Sequence, residues 1–317
     1  MPRRLRLGMV GGGQGAFIGA VHRIASRIDD RYNLVAGCLS STAEKSIASA
    51  KDIGLDPARS YPDFQTMAES ESLREDGIDV VAIVTPNYLH YPIGEAFLSK
   101  NIHVICDKPL THNLEDAEKF LVSVNKSNAL FALTHNYTGY PMVRQAREMF
   151  RNGEIGNLRV IQVEYAQDWL TLPIENEGQK QASWRTDPSK AGMGGSIGDI
   201  GSHAFNLVDF ITGAKLNELC ADISSFVPGR KNDDNAHVLL RYENNVKGML
   251  WSSQVAPGNE NALRIRIYGD KGGMEWEQEN PNYLTVDIFG KAKKIIRRAG
   301  NETIDIGNRI TRIPPGH

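Results

Sequence analysis

Short apolar runs alternate with amphipathic stretches through the first 134 residues. The runs are Leu5–Val10, Leu34–Leu39, Val80–Val84, His103–Cys106 and Leu130–Thr134. Helical periodicity is clearest between them in Leu114–Val124. There Asn113 supplies an N-cap, and Glu115, Asp116 and Glu118 lie near the positive end of the helix dipole. Strand–helix alternation with near-continuous apolar strands predicts a parallel sheet covered on both faces. Residues 1–134 therefore read as a doubly wound α/β nucleotide-binding (Rossmann) domain.

The rhythm changes after Tyr140-Pro141. A helix is predicted over Met142–Arg151 and a strand over Leu158–Tyr165. A polar stretch, Gln167–Arg185, leads to a glycine cluster and a helix over Gly198–Ile211. Strands then predominate: Glu218–Phe226, His237–Tyr242, Gly248–Ser253, Leu263–Tyr268 and Leu284–Ile288, with turns at Glu243-Asn244-Asn245 and Lys271-Gly272-Gly273. Consecutive strands with short turns predict an α+β domain over residues 135–317, built on a large open, mainly antiparallel sheet. The stretch Asn301–His317 has no clear period and ends Pro314-Pro315-Gly316-His317. It reads as a flexible tail or a truncated connection.

Composition narrows the class. The chain has 317 residues, 41% hydrophobic and 23% charged, enough for two domains with real cores. A net charge of −2 provides no basic field for nucleic acid or an anionic membrane. Cys38, Cys106 and Cys220 are too scattered for a disulfide framework or a zinc motif, so a reducing, cytoplasmic home is expected. The arginine pair Arg3-Arg4 looks like an export signal, but the apolar stretch behind it, Leu7–Val10, is too short for one. No window is apolar for long enough to span a membrane.

The run Gly11-Gly12-Gly13-Gln14-Gly15-Ala16-Phe17-Ile18-Gly19 follows the first strand and opens a helix. Residues without Cβ let a pyrophosphate approach the backbone while the helix N-terminus offers its amides. Gly11, Gly13, Gln14, Ala16, Phe17 and Ile18 are the expected contacts of a dinucleotide. An acidic residue at the end of strand two would grip the ribose of NAD. Ser40 and Ser41 stand there instead, with Lys45 beyond, so NADP is expected ahead of NAD.

Thr85-Pro86-Asn87 and Asp107-Lys108-Pro109 each close a strand, where ligands of open α/β sheets bind. A lysine at such an edge can stabilise a substrate alkoxide, although most lysines are simply solvated. Asp199 and His203 are four apart, so a helix would present them on one face. Histidine is the usual proton acceptor near neutral pH and a carboxylate can orient it; an ordinary surface ion pair is the alternative. Two ligands without a third do not make a metal site. His135–Tyr140 reads equally as cleft lining, with Tyr137 facing substrate, or as a hinge. Trp169, Trp184 and Arg185 have the chemistry to stack on a sugar ring or bind its oxygens, although tryptophan is more often simply packed. Asp233-Asp234-Asn235 reads chiefly as a turn, and the polar stretch Gln254–Asn261 as a pocket edge.

In order and spacing, the glycine loop, Thr85-Pro86-Asn87 with His90, Asp107-Lys108-Pro109, and Trp184-Arg185-Thr186-Asp187-Pro188 running into Gly194–Asn206 resemble one family. It is the Gfo/Idh/MocA oxidoreductases, the glucose–fructose oxidoreductase and inositol dehydrogenase group. The resemblance spans essentially the whole chain. It implies that Thr85, Pro86, Asn87, His90, Asp107 and Lys108 meet the cofactor. It implies that Lys108, Asp199 and His203 are catalytic; Tyr137, Trp184 and Arg185, read from the residues themselves, are the further candidates at the substrate. His203 would take the hydroxyl proton of a sugar or polyol as hydride leaves the same carbon. Lys108 would steady the oxyanion and Asp199 the geometry. Asp107 departs from the glutamate usual in the family, the stretch before Trp184 looks longer than in simpler members, and relatives usually continue past residue 317. A redox-neutral, NAD-dependent glycosidase-type enzyme and a non-catalytic dinucleotide binder are the alternatives. An open sheet with one uncovered face implies a homodimer or homotetramer.

Overall fold

All five early apolar runs become neighbouring parallel strands in the computed structural model, which describes residues 3–316. They are β1 (Leu5–Gly11), β2 (Tyr32–Cys38), β3 (Val80–Val84), β4 (His103–Cys106) and β5 (Phe131–Leu133), in the order β2-β1-β3-β4-β5. Helices α1 (Phe17–Ile28), α2 (Ala43–Asp52), α3 (Phe64–Leu73), α4 (His90–Leu98) and α5 (Leu114–Lys126) connect them. Asn113 caps α5, its Oδ1 accepting from the amide of Asp116 at 2.8 Å. Thr42 and Asp63 cap α2 and α3 in the same way. The chain runs from β1 outward to β2, then returns to β3 on the other side of β1. That reversal opens a crevice at the carboxyl ends of β1 and β3, where doubly wound sheets take ligands. Apolar side chains fill both faces of the sheet. Phe97 and Phe120 anchor one core, and Met9 and Leu39 the other.

Compact unit one ends at Thr134 and the second begins at His135. The second contains α6 (Pro141–Arg151), β6 (Leu158–Ala166), α7 (Lys180–Arg185), α8 (Pro188–Ala191) and α9 (Ser202–Thr212). It continues with β7 (Leu216–Ser224), β8 (Asn235–Tyr242), β9 (Lys247–Ser253), β10 (Ala262–Gly269), β11 (Gly272–Glu277), β12 (Tyr283–Ile288), β13 (Lys294–Arg297) and α10 (Asp305–Arg309). The eight strands form one sheet, β13-β12-β11-β10-β6-β9-β8-β7, in which β6 and β9 run parallel and every other pair antiparallel. α6 and α9 press Met142, Val143, Ala204 and Leu207 onto one face, against Ile161, Val163, Leu263 and Trp276.

Three sequence expectations need correction. Gly272 and Gly273 are not a turn: they begin β11, and the turn is Asp270-Lys271. β13 went unseen because four residues flanked by lysines and arginines give too short an alternation. The segment from 301 is not loose. Gln145 Oε1 accepts the amide of Ile304 at 2.9 Å, and Arg298 donates to the carbonyl of Ile313 at 2.6 Å. The first bond seats α10 beside α6, and the second ties the chain beyond α10 to the end of β13.

Candidate functional site

In the first unit the glycine run bends tightly at the mouth of the crevice. Gly11, Gly12 and Gly15 have positive φ, a conformation L side chains avoid. A Cβ on Gly13 would lie 2.5 Å from the carbonyl oxygen of Leu39, so the loop can sit this close to β2 only as glycine. The amides of Gly13 and Gln14 are already bonded, to Leu39 O at 3.0 Å and Ser49 Oγ at 3.1 Å. The first amides of α1 have no such partner from their cap, since Ala16 has no polar side chain. An uncapped helix start above a glycine turn is the donor set an anion needs. The loop floors a cavity of about 190 Å3 bounded by Gly12, Gly13, Ala16, Leu39, Ser49 and Asp52. The residues present fit a dinucleotide's pyrophosphate.

Phe17 projects at the start of α1, 68% exposed, with Ile18 half-buried behind it. Ser40 is half-buried, while Ser41 and Lys45 are exposed around the N-terminus of α2. Gln14 reaches across to Asp52, Nε2 to Oδ2 at 2.6 Å. Sequence reasoning missed Arg23. Its Nη1 holds the Gly12 carbonyl at 2.8 Å, and its place in the second turn of an amphipathic helix gave no hint of that.

The other strand ends meet the same crevice. Gly11 pairs with Val84, bringing the glycine turn against Thr85. Asn87 is buried just beyond. His90 is fully buried, its ring nitrogens 2.8 Å from Pro109 O and 2.9 Å from Thr85 O. Burial holds its pKa below the ordinary range against the pull of those carbonyls. The ring ties the Thr85 turn to the lysine turn. Asp107 Oδ1 accepts from Lys108 N at 2.8 Å and Thr134 Oγ1 at 3.0 Å, which fixes the backbone of Lys108 at the end of β4.

The second unit builds the other candidate residues into one network. α9 begins after a π-helical turn, Ile197–Gly201, rather than as the continuous α-helix expected over Gly198–Ile211. Such turns recur at functional sites because they re-aim side chains. His203 lies on the apolar stripe of α9 with Ala204, Leu207, Val208 and Ile211, and is 6% exposed. A surface ion pair is thereby excluded. The imidazole meets Tyr137, His135 and Tyr165 with ring centroids 4.8, 5.5 and 6.1 Å away. Asp199 Oδ2 accepts from Gln254 Nε2 at 2.9 Å and faces Arg185 Nε at 3.3 Å.

Behind the imidazole the phenols close a ring of hydrogen bonds. The hydroxyls of Tyr137 and Tyr165 are 2.5 Å apart. Tyr165 donates to Asn261 Oδ1 at 2.6 Å, and Asn261 Nδ2 donates to Tyr137 at 3.2 Å. Burial raises the pKa of both tyrosines, so both remain protonated. Gln167 continues the chain from Asn261 to the indole of Trp169, and Arg185 lies 4.2 Å over Trp184 and 5.9 Å from Trp169. Tyr137, Trp184, Arg185, Asp199 and His203 thus belong to one connected cluster. Gln254 and Asn261 join it, both from the polar stretch expected to form a pocket edge. Among the described residues no group of histidines, cysteines and carboxylates suits a metal ion.

Comparison with known proteins bears on both units. Residues 5–135 match the model of an oxidoreductase family with an NAD-binding Rossmann fold, and residues 143–275 match the GFO/IDH/MocA C-terminal domain. The uncharacterized oxidoreductase YfiI of Bacillus subtilis is 36% identical over 319 residues, spanning 99% of this chain and 80% of its own. The chain belongs to the Gfo/Idh/MocA family. A solved oxidoreductase from Sinorhizobium meliloti is 55% identical with a TM-score of 0.90, covering 99% of this chain and 84% of that one. An inositol dehydrogenase homolog from Azotobacter vinelandii, complexed with NADH and myo-inositol, is 33% identical with a TM-score of 0.93, covering 100% and 82%. The family read from the motifs is the family found, and the protein is an NAD-binding oxidoreductase of that family. No helix among the described residues is long and apolar enough to cross a membrane.

Proposed function

We propose that the protein transfers hydride between a nicotinamide dinucleotide and a secondary hydroxyl or keto carbon of a sugar, polyol or sugar derivative. One observation carries the reading. The second unit holds a buried imidazole, a clamped carboxylate and a shelf of two indoles and a guanidinium in one cluster of ring contacts, hydrogen bonds and an ion pair. A polyhydroxylated ring presents apolar C–H faces and hydroxyl edges, which match indole planes and polar termini respectively. The Azotobacter homolog's complex with NADH and myo-inositol supports the same substrate class.

The bound dinucleotide supplies the carbon that exchanges hydride with the substrate. Gly11, Gly13, Gln14, Ala16, Phe17 and Ile18 hold its pyrophosphate. Thr85, Pro86, Asn87 and Asp107 flank it, and His90 acts by fixing their backbone. The hydroxyls of Ser40 and Ser41 with Lys45 favour the 2′-phosphate of NADP over NAD. His203 accepts the hydroxyl proton during oxidation and returns it during reduction. Lys108 donates a hydrogen bond to the developing oxyanion. Asp199, paired with Arg185 and held by Gln254, orients its neighbours. Tyr137, Trp184 and Arg185 bind substrate. The setting is cytoplasmic, consistent with free thiols at Cys38, Cys106 and Cys220.

The test is a panel of cyclitols, aldoses and anhydrosugars with each dinucleotide, read at the reduced-nicotinamide absorbance band. Net absorbance change with a panel member is the expected result. Product without net change would assign a redox-neutral enzyme instead, and dinucleotide binding without any product would leave a non-catalytic binder.

A further inference from the structure

The cluster around His203 is held from outside by Arg230, Asn232, Asp233 and Asp234, four residues at the entry to β8 that hydride transfer does not use. Asp233 is buried and takes three donors: Gly195 N at 2.6 Å, Ser196 Oγ at 2.8 Å and Ile197 N at 2.8 Å. Its backbone carbonyl accepts a fourth, Ser196 N at 2.9 Å. A Cβ on Gly195 would stand 1.9 Å from that carbonyl, so the two backbones are in direct contact. These bonds fix the chain at the entry of the π-turn that bears Asp199 and leads into His203.

Arg230 holds a different piece. Its guanidinium is 1% exposed, pairs with both oxygens of Glu175 at 3.0 and 3.1 Å, and donates to Leu170 O at 2.9 Å. Asp234 completes it, facing Nη1 at 3.2 Å and accepting the amides of Phe226 and Val227. Asn232, between the two anchors, donates to Gly192 O at 3.1 Å and Arg185 O at 3.4 Å. The segment carrying Trp169, Trp184 and Arg185 thus hangs on Arg230, whereas the turn carrying Asp199 and His203 hangs on Asp233. Buried charged groups satisfied this fully set geometry, since each bond fixes a direction as well as a distance.

We propose that this segment is a positioning node with two separable outputs. Asp233 sets the attitude of His203 and so the rate of proton transfer. Arg230, through Glu175, sets the indole–guanidinium shelf and so the affinity for the sugar ring. The inference rests on the hydride-transfer reading for the meaning of those outputs, but its geometry can be tested apart from it.

The experiment compares wild type with Asp233→Asn, Ser196→Ala and Glu175→Gln on the panel member that wild type turns over fastest. Asp233→Asn lowers kcat by about 10- to 100-fold and leaves KM within about 3-fold, because a misplaced base costs rate rather than ground-state binding. Ser196→Ala removes one of the same bonds and moves kcat in the same direction by less, which covers the case in which Asp233→Asn does not fold. Glu175→Gln raises KM by about 10-fold with kcat within about 3-fold, the signature of lost uniform binding. In parallel, the ring proton resonances of His203, assigned by their loss in His203→Asn, shift in Ser196→Ala and stay in place in Glu175→Gln. Equal changes in kcat and KM across the variants, or His203 resonances that ignore Ser196→Ala, would overturn the node. Absence of turnover by wild type on every panel member would instead overturn the hydride-transfer reading, with the resonances still deciding the node.

Discussion

Gly13 shows how much one missing carbon decides. Its φ is unremarkable for any residue, yet a methyl group there would meet both Leu39 O and Ser49 Oγ at 2.5 Å. Gly13→Ala must therefore push the loop off β2 or shift α2. Overpacking of this kind costs about 1–3 kcal/mol, and here it falls on the turn that faces the pyrophosphate. Calorimetric titration with NADP should show affinity weakened at least tenfold (about 1.4 kcal/mol); binding equal to wild type would place the cofactor elsewhere. At this scale the sequence was readable where chemistry constrains residue type. The glycines, Lys108, Asp199 and His203 stood out as candidates. Arg23 and Asn232 did not, because their work is to hold a backbone carbonyl, and any polar residue can do that once the fold has brought it near. Asp233 was read as a turn former, since its three donors lie about 37 positions earlier in the chain.

Elements proved readable in proportion to the regularity of their apolar period. β3, with five buried aliphatic residues in a row, was found to the residue, while β11 and β13 were hidden by glycines and by charge. The π-turn before α9 leaves no period of its own, so a continuous helix was the natural reading. Charge pairing at element ends adds a pH dependence. Asp79, just before β3, accepts from both guanidinium nitrogens of Arg3 at 2.7 Å and from Arg6 N at 2.7 Å, fastening the start of β1. The arginine hydrogen bonds hold its carboxyl well below the usual carboxylate range, outweighing partial burial. A depressed folded pKa contributes stability above about pH 4 that disappears as pH falls through the folded value. Urea midpoints measured from about pH 5 down to about pH 2 should therefore fall more steeply for wild type than for Asp79→Asn. Parallel lines for the two proteins would show that the pair contributes nothing.

For the whole molecule, alternation in the second half predicted an open sheet, and the structure shows what its far face carries. The row Leu239, Met249, Gln162, Arg266, Glu275, Thr285 and Ile295 runs across seven strands opposite the helices. Leu239 and Ile295 are both 65% exposed, and Val160 and Tyr268 stand exposed in the next row. Exposed apolar side chains at both ends of a row whose middle is polar favour self-association. We propose a homodimer or homotetramer through this face, for which light scattering should give a mass two or four times 35.1 kDa. A Leu239→Arg variant should reduce that mass; a wild type that scatters as a monomer would refute the proposal. The class of substrate and of partner was legible in the sequence but not the particular substrate or the number of subunits, because both depend on surfaces assembled from residues scattered along the chain.

The account stands on the buried imidazole of α9 as proton acceptor in a dinucleotide-dependent oxidation. Its most direct test is the turnover of His203→Ala beside that of wild type, with dinucleotide affinity measured on the same samples. Loss of a general base should lower kcat by about 10²- to 10⁴-fold while the dinucleotide Kd stays within about 3-fold. Turnover undiminished in that variant would contradict the mechanism proposed for this protein.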